Sequence, residues 1–322
     1  MTTGPIIVAT DLSDKSYAAM RAAAVIAKAR GARLHCVNVI EELDEGSAWL
    51  VLVEDHETLE KNMRAERQKT LDALITRELD GLIDVTSVKG QVCVGNPSDE
   101  ILALGDELDA SMIVTGSLAH GPLEAIFLGS TANALLRRGE RPTLIVPPGA
   151  DAKRFRKILA PVDDSAASRA SLRHAVEMAR AIPGGQLVLM HSVATPAGIG
   201  DAAFPVHIGA EALGRLVQSY RRWLESVAEE LEITDIVSDY ILEQGAPAPE
   251  IIEVGKQEDV DLICMGSNGR QGLRRFLLGG TAERVLRDAP CPVLAIYEED
   301  PEPFTSPEEF WKAERDAKDA EA

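Results

Sequence analysis

The residues best suited to chemistry lie in the C-terminal half, where Gly266-Ser267-Asn268-Gly269 is followed, after nine residues, by Gly279-Gly280-Thr281. Glycine lets a backbone approach a phosphate closely, and a helix starting at the second cluster offers unpaired N–H groups and the positive end of its dipole. Such glycines also make tight turns, so the spacing alone is not decisive. Its context is informative: an apolar run, Asp261 to Met265, precedes it and a helical pattern, Ala282 to Leu286, follows. In an open parallel sheet ligands sit beyond the strand ends, where such a loop lies. Other chemistries find no pattern. The six histidines (His35, His56, His120, His174, His191, His207) show no metal-ligand spacing, and no G-x-x-x-x-G-K-[ST], G-x-S-x-G or early G-x-G-x-x-G run is present.

The chain is written twice. Gly95-Asn96-Pro97 returns as Gly245-Ala246-Pro247, Gly116-Ser117 as Gly266-Ser267, Leu128-Gly129 as Leu278-Gly279 and Thr131-Ala132 as Thr281-Ala282, at an offset of 150. Near the start of each half the offset is 152, as Ala9-Thr10-Asp11 answers Pro161-Val162-Asp163. A period this long is a duplicated domain and not a solenoid. Within each half, strand and helix patterns alternate. Apolar runs at Pro5 to Ala9, Leu34 to Ile40, Val85 to Val94, Ser111 to Thr115 and Thr143 to Val146 are matched by Ile158 to Pro161, Leu187 to Val193, Val237 to Leu242, Leu262 to Met265 and Val293 to Ile296. Helical spacing separates them, as in Ala18, Ala22, Val25 and Ile26. Ser98 or Asn96 is placed to cap the helix after Pro97. Strands without polar alternation are buried on both faces, which calls for an α/β fold with parallel sheets flanked by helices.

The expected division is 1–149, 150–298 and an acidic tail, 299–322, with the joint near Pro147-Pro148-Gly149. The segment from Glu298 holds ten acidic and three basic residues. Ser306-Pro307-Glu308-Glu309 reads there as a capping box opening a short helix, which Phe310 and Trp311 could dock; a solvated, disordered tail is the alternative. Net charge is −19, which opposes binding to nucleic-acid phosphates. The N-terminus lacks a signal-peptide pattern and no apolar run is long enough to span a bilayer, so a cytoplasmic protein without membrane contact is expected. Cys36, Cys93, Cys264 and Cys291 lie in or beside strand-like runs and read as packed thiols.

The glycine loop, with Pro161-Val162-Asp163, Leu189-Met190-His191-Ser192-Val193 and Ala289-Pro290-Cys291-Pro292-Val293-Leu294, resembles the universal stress protein family. The resemblance spans both halves and implies two tandem doubly wound domains, each a five-stranded parallel sheet of order 3-2-1-4-5. It implies ATP, with Mg2+ or another divalent ion, as the ligand. In the second half Asp163 and the backbone near Ser192 would meet adenosine, with Pro161 ending the strand before them. Met265, Gly266 and Gly269 would lie under ribose and phosphates, and Gly279, Gly280 and Thr281 would wrap the phosphates. Gly280 departs from the family's Ser or Thr. The first half matches at Asp11, Val39, Thr115, Gly116, Gly129, Ser130 and Thr131, but Ala119 replaces the second glycine, which implies a weaker site. The family also implies that Thr143 to Val146 and Val293 to Ile296 pair as an internal pseudo-dimer; a homodimer of two chains is open. Three readings follow: an ATP-binding regulatory protein acting mainly through the second domain, a slow ATP hydrolase or adenylyl-transferring enzyme, or a ligand-free dimerisation scaffold. His191 is expected to be structural, and His120, Arg270, Arg274 and Arg275 to be solvated charges.

Overall fold

The computed structural model describes residues 4–41, 56–117, 128–138, 140–151, 154–193, 210–267, 278–297 and 302–321. It divides into two units, residues 1–154 and 155–322. The first unit runs β1 (Ile6–Ala9), α1 (Tyr17–Arg30), β2 (Leu34–Ile40), α2 (His56–Leu79), β3 (Val88–Val94), α3 (Pro97–Glu107), β4 (Met112–Gly116), α4 (Ser130–Arg138) and β5 (Thr143–Val146). The second repeats it as β6 (Lys157–Pro161), α5 (Ala166–Ala181), β7 (Gln186–Val193), α6 (Ala210–Glu230), β8 (Val237–Gln244), α7 (Pro247–Gln257), β9 (Leu262–Gly266), α8 (Gly280–Asp288) and β10 (Val293–Ile296), then adds α9 (Pro307–Glu321).

Within each unit the strands pair in parallel, in the orders β3-β2-β1-β4-β5 and β8-β7-β6-β9-β10. This is the order the family resemblance implies. The chain steps outward from the first strand to the third and then returns to the other side. The reversal leaves a crevice between the carboxyl ends of the first and fourth strands. Strands β1, β5 and β10 are buried throughout, which is why they read as nearly unbroken apolar runs. On one face of the first sheet Ile7, Val37, Ile101, Leu104, Ile113 and Leu135 form a core beneath α3 and α4. Helices α1 and α2 cover the other face, where Arg21 Nη2 reaches Glu78 Oε2 at 2.5 Å and ties the pair together.

Local chemistry sets the element ends. Gly31, at φ 61°, closes α1 in the left-handed conformation that glycine adopts without strain. Asn96 caps α3, its Oδ1 accepting from the N–H of Ser98 and Asp99, while the Ser98 hydroxyl donates to the same oxygen at 2.8 Å. The strand expected from Val85 begins instead at Val88. Asp84 Oδ1 accepts from Thr86 N at 3.0 Å and winds Val85–Ser87 into a 3-10 turn. The tail forms α9 through the expected capping box: Ser306 Oγ accepts from Glu309 N at 3.3 Å, and Glu309 Oε2 accepts from Ser306 N at 3.4 Å.

His35 on β2 is 4% exposed, with Nε2 at 3.2 Å from Gln91 Oε1. Burial, with Lys89 and Arg33 adding to it against Gln91 and Glu107, lowers its pKa from the ordinary 6.5. The unfolded chain therefore holds this proton more tightly than the folded one. The stability His35 contributes is complete above its unfolded pKa and is lost as pH falls through the lower, folded value. His35→Gln is expected to flatten the acid side of the stability–pH curve below 6.5, measured by denaturant unfolding at a series of pH values. An unchanged slope would contradict it.

Candidate functional site

In the first unit a cleft of about 430 Å³ opens at the carboxyl ends of β1, β2 and β4 and the start of α4. Asp11, Val39 and Thr115 line it with Gly116, Gly129, Ser130 and Thr131, so the structure brings together all seven first-half positions. Backbone bonds build its wall. Thr10 N donates to Val37 O at 2.9 Å, which extends the β1 ladder by one residue, and Asn38 Nδ2 donates to Thr10 O at 2.8 Å. Asp11 then turns the chain, its Oδ1 accepting from Ser13 N at 2.9 Å and Ser13 Oγ at 2.7 Å, with Leu12 at φ 67°. Ser16 Oγ donates to Ser13 O at 2.8 Å. That commits its proton, so Thr10 Oγ1 is the donor in the 2.7 Å contact with Ser16 Oγ. Opposite, Ser117 N donates to Val146 O at 3.1 Å and Gly129 N to Ser117 O at 3.0 Å, which sets α4 against the end of β4.

The second unit repeats the plan. Val162 N donates to Met190 O at 2.7 Å, and His191 Nδ1 lies 2.7 Å from Val162 O. A carbonyl only accepts, so this geometry assigns the proton to Nδ1. Asp163 Oδ1 accepts from Ser165 N at 3.0 Å and Ser165 Oγ at 2.5 Å. Ser192 Oγ donates to Gly245 O at 2.8 Å and tethers the next turn. Ser267 N donates to Ile296 O and Gly279 N to Ser267 O, each at 2.8 Å. Pro161 ends β6 beside Met190, Met265 is buried near the end of β9, and Gly266 ends that strand. Gly279 and Gly280 open α8 with no side-chain cap, and Thr281 follows in its first turn. Gly279 sits at φ −64° and ψ 145°, a conformation open to any residue, so backbone freedom does not demand glycine here. Gly269, Ala119, His120, Arg270, Arg274 and Arg275 lie outside the described residues.

The two sites differ in four physical ways. Asp14–Ser16 winds as a 3-10 turn before α1, whereas the matching residues of the second unit already belong to α5. A methyl group at Gly116 would have the Lys15 carbonyl oxygen as its nearest neighbour at 3.8 Å. At Gly266 it would meet Ala167 Cβ at 2.9 Å and the Ala167 carbonyl carbon and oxygen at 3.0 Å. Gly266 is therefore demanded by close packing between β9 and α5. Lys15 lines the first cleft, and Ala167 stands in its place in the second unit. Finally, the first turn of α4 carries no acidic residue, while that of α8 carries Glu283.

Sequence reasoning passed over Thr10, Lys15, Ser16, Glu41 and Pro97, all of which line the first cleft. A signal existed for part of this: Asp11-Leu12-Ser13-Asp14-Lys15-Ser16 and Asp163-Asp164-Ser165-Ala166-Ala167-Ser168 share D-x-S-x-x-S. Both serines of that run hold the turn, Ser168 Oγ accepting from Asp163 N at 2.9 Å. Burial raises the Cys36 and Cys291 thiols to about 12, and all four cysteines are buried and free. Among the described residues no group of three metal-ligating side chains occurs, and no helix is long and apolar enough to cross a membrane.

One hydrogen-bonding plan thus holds two copies of the same turn, and the sequence matches the universal stress protein family twice, over residues 2–147 and 154–296. The chain belongs to the universal stress protein family. A universal stress protein of Methanocaldococcus jannaschii is 31% identical over 165 residues, which is 51% of this chain and 88% of that protein. A second, from Mycolicibacterium smegmatis, is 27% identical across 90% of this chain and 96% of its own length, so the tandem arrangement is shared. Among solved structures, a universal stress protein from Archaeoglobus fulgidus superposes with a TM-score of 0.65 at 22% identity, covering 93% of this chain and 98% of that one. A protein of unknown function from Pseudomonas aeruginosa gives 0.59 at 19% identity, covering 91% and 92%. Both show the shared fold.

The glycine contrast separates the two family domains experimentally. Gly266→Ala forces a backbone neighbour to shift and is expected to destabilise the second unit by about 1–3 kcal/mol. Gly116→Ala is expected to change the first by no more than about 0.5 kcal/mol. Hydrogen exchange of each unit's strand amides measures both; equal effects would contradict the packing argument.

Proposed function

We propose that this universal stress protein is a nucleotide-binding regulator with ATP as its ligand, the principal site in the second unit and a further site in the first. The observation that carries this reading is the first-unit cleft, in which seven positions chosen from the sequence for phosphate and adenosine contact line a single space. At its α4 side, Ser130 and Thr131 stand in the first turn of a helix, where N–H groups have no partner within the helix. No acidic residue competes there with a phosphate. Lys15 adds a cation that has no ion-pair partner among the described residues. The same elements recur in the second unit, whose three glycines, Gly266, Gly269 and Gly279, support its principal role.

The donors suit a nucleotide and its ion. Helix N–H groups and hydroxyls can bind phosphate oxygens, while Mg2+ is commonly carried by the phosphates themselves with few protein ligands. The second half trades the Ser130 hydroxyl for Gly280. Binding in the cytoplasm would then alter what each domain presents to partners, with no nucleic acid or membrane needed.

Calorimetric titration of the intact chain with ATP, ADP and adenosine tests this. Two binding events are expected. Gly279→Val, which the backbone accommodates but which fills the phosphate space, should remove one. Ser130→Ala, deleting a hydrogen bond to a charged group, should weaken the other about tenfold. Lys15→Ala should weaken ATP more than adenosine. The absence of binding by all three ligands to the parent chain would overturn the proposal.

A further inference from the structure

The C-terminal segment is joined to the second unit's candidate site by an unbroken series of contacts. Phe304 is 3% exposed beneath the Arg169 guanidinium, 5.0 Å from the ring centroid, and Arg169 pairs with Glu230 on α6. Trp223 Nε1 donates to Thr305 O at 2.8 Å, which fixes the chain as it enters α9. One turn into that helix, Trp311 Nε1 donates to Ser219 O at 3.1 Å and its ring meets the Tyr220 ring edge-on, with centroids 4.9 Å apart. Arg222 and Glu314 close the contact at 3.1 Å. Tyr220 in turn stacks on His191 at 4.9 Å and 22°, and Trp223 meets the same imidazole edge-on at 5.1 Å. His191 then holds the Val162 carbonyl, one residue before Asp163.

The first unit shows what the site needs in the absence of such a tail. Asn38, at the matching position of β2, holds the Thr10 carbonyl with a short amide and no ring. The second unit uses a longer aromatic donor whose orientation is set by stacking on Tyr220 and an edge-on contact with Trp223. An imidazole free to rotate about its side-chain bonds would lose its aim at Val162 O. The rings that prevent this belong to α6, and one of them, Tyr220, is itself backed by Trp311. At 15 residues, α9 is near the length at which an isolated helix is marginal in water, so its order depends on this docking.

We infer that the C-terminal helix is a strap that positions the second unit's ligand-facing turn, acting from Trp311 through Tyr220 and His191, and that strap docking and ligand binding reinforce each other. Trp311 and Tyr220 are positioning residues. The ligand half of this statement rests on the nucleotide reading above; the mechanical half does not. Linkage requires that whatever the docked strap adds to ligand affinity, ligand returns to strap docking by the same factor.

The experiment uses the full chain and begins without ligand. His191→Asn installs the donor used by the first unit and removes the ring; it is expected to speed hydrogen exchange of the α9 amides. Trp311→Ala is expected to move the nitrogen resonances of the His191 imidazole, and Trp311→Phe, which keeps an edge for Tyr220, to restore them. The two single effects on α9 exchange should be non-additive in the double variant. ATP is then added as the probe. Trp311→Ala should lower second-unit affinity about tenfold, within the usual range of coupling, and leave the first unit unchanged. ATP should slow α9 exchange by the matching factor. Unchanged α9 exchange in His191→Asn together with unmoved imidazole resonances in Trp311→Ala would overturn the inference. So would equal second-unit affinity with and without Trp311. If no nucleotide binds, the proposed function fails, and the ligand-free measurements alone decide whether the strap positions the turn.

Discussion

The candidate site in each unit depends on one buried carbonyl being paired by a side chain. When the first strand ends, its last carbonyl, on Thr10 or Val162, has left the ladder but not the protein interior. A buried carbonyl without a partner is costly, and among the described residues no backbone N–H bonds to either one, so a neighbouring strand supplies a side-chain N–H. Asn38 does so at 2.8 Å and His191 at 2.7 Å. With that oxygen held, the next residue can turn sharply, and Asp11 or Asp163 turns it by accepting from the serine two positions on. The crevice left by the strand order acquires a fixed wall only because of this pairing.

Duplication allowed the two walls to diverge while the pairing survived. In the first unit a 3-10 turn leaves slack beside Gly116, and Lys15 borders the cleft. In the second, α5 begins earlier and Ala167 presses against Gly266, so a glycine that looks like part of a phosphate loop is also required for helix–strand contact. The packing role of Gly266 thus stands beside the phosphate-loop role proposed for it. Glycine spacing favours the second unit, whereas charge near the helix start favours the first.

The sheet was legible because strands buried on both faces leave uninterrupted apolar runs, and Leu34–Ile40 and Val293–Ile296 were read to the residue. The start of β3 was not, because Asp84 captures Thr86 and the chain winds before it extends. Offsets between the halves revealed the glycines and aspartates, while the serines of D-x-S-x-x-S passed as ordinary polar residues although they hold the turn. The capping box of α9 could be read from four adjacent residues. Docking through Trp311 was among the expectations, but its partner was not legible, since Ser219 lies 92 positions earlier and only the fold brings them together. The openness of the first cleft was equally hidden, because it turns on whether three residues wind as 3-10 or α.

Native mass spectrometry of the intact chain, incubated with ATP and a divalent ion, tests the central claim most directly. The account predicts a mass increase of two nucleotides per chain at saturation, reached in two steps. A chain that stays at its bare mass, or saturates with a single nucleotide, would contradict it.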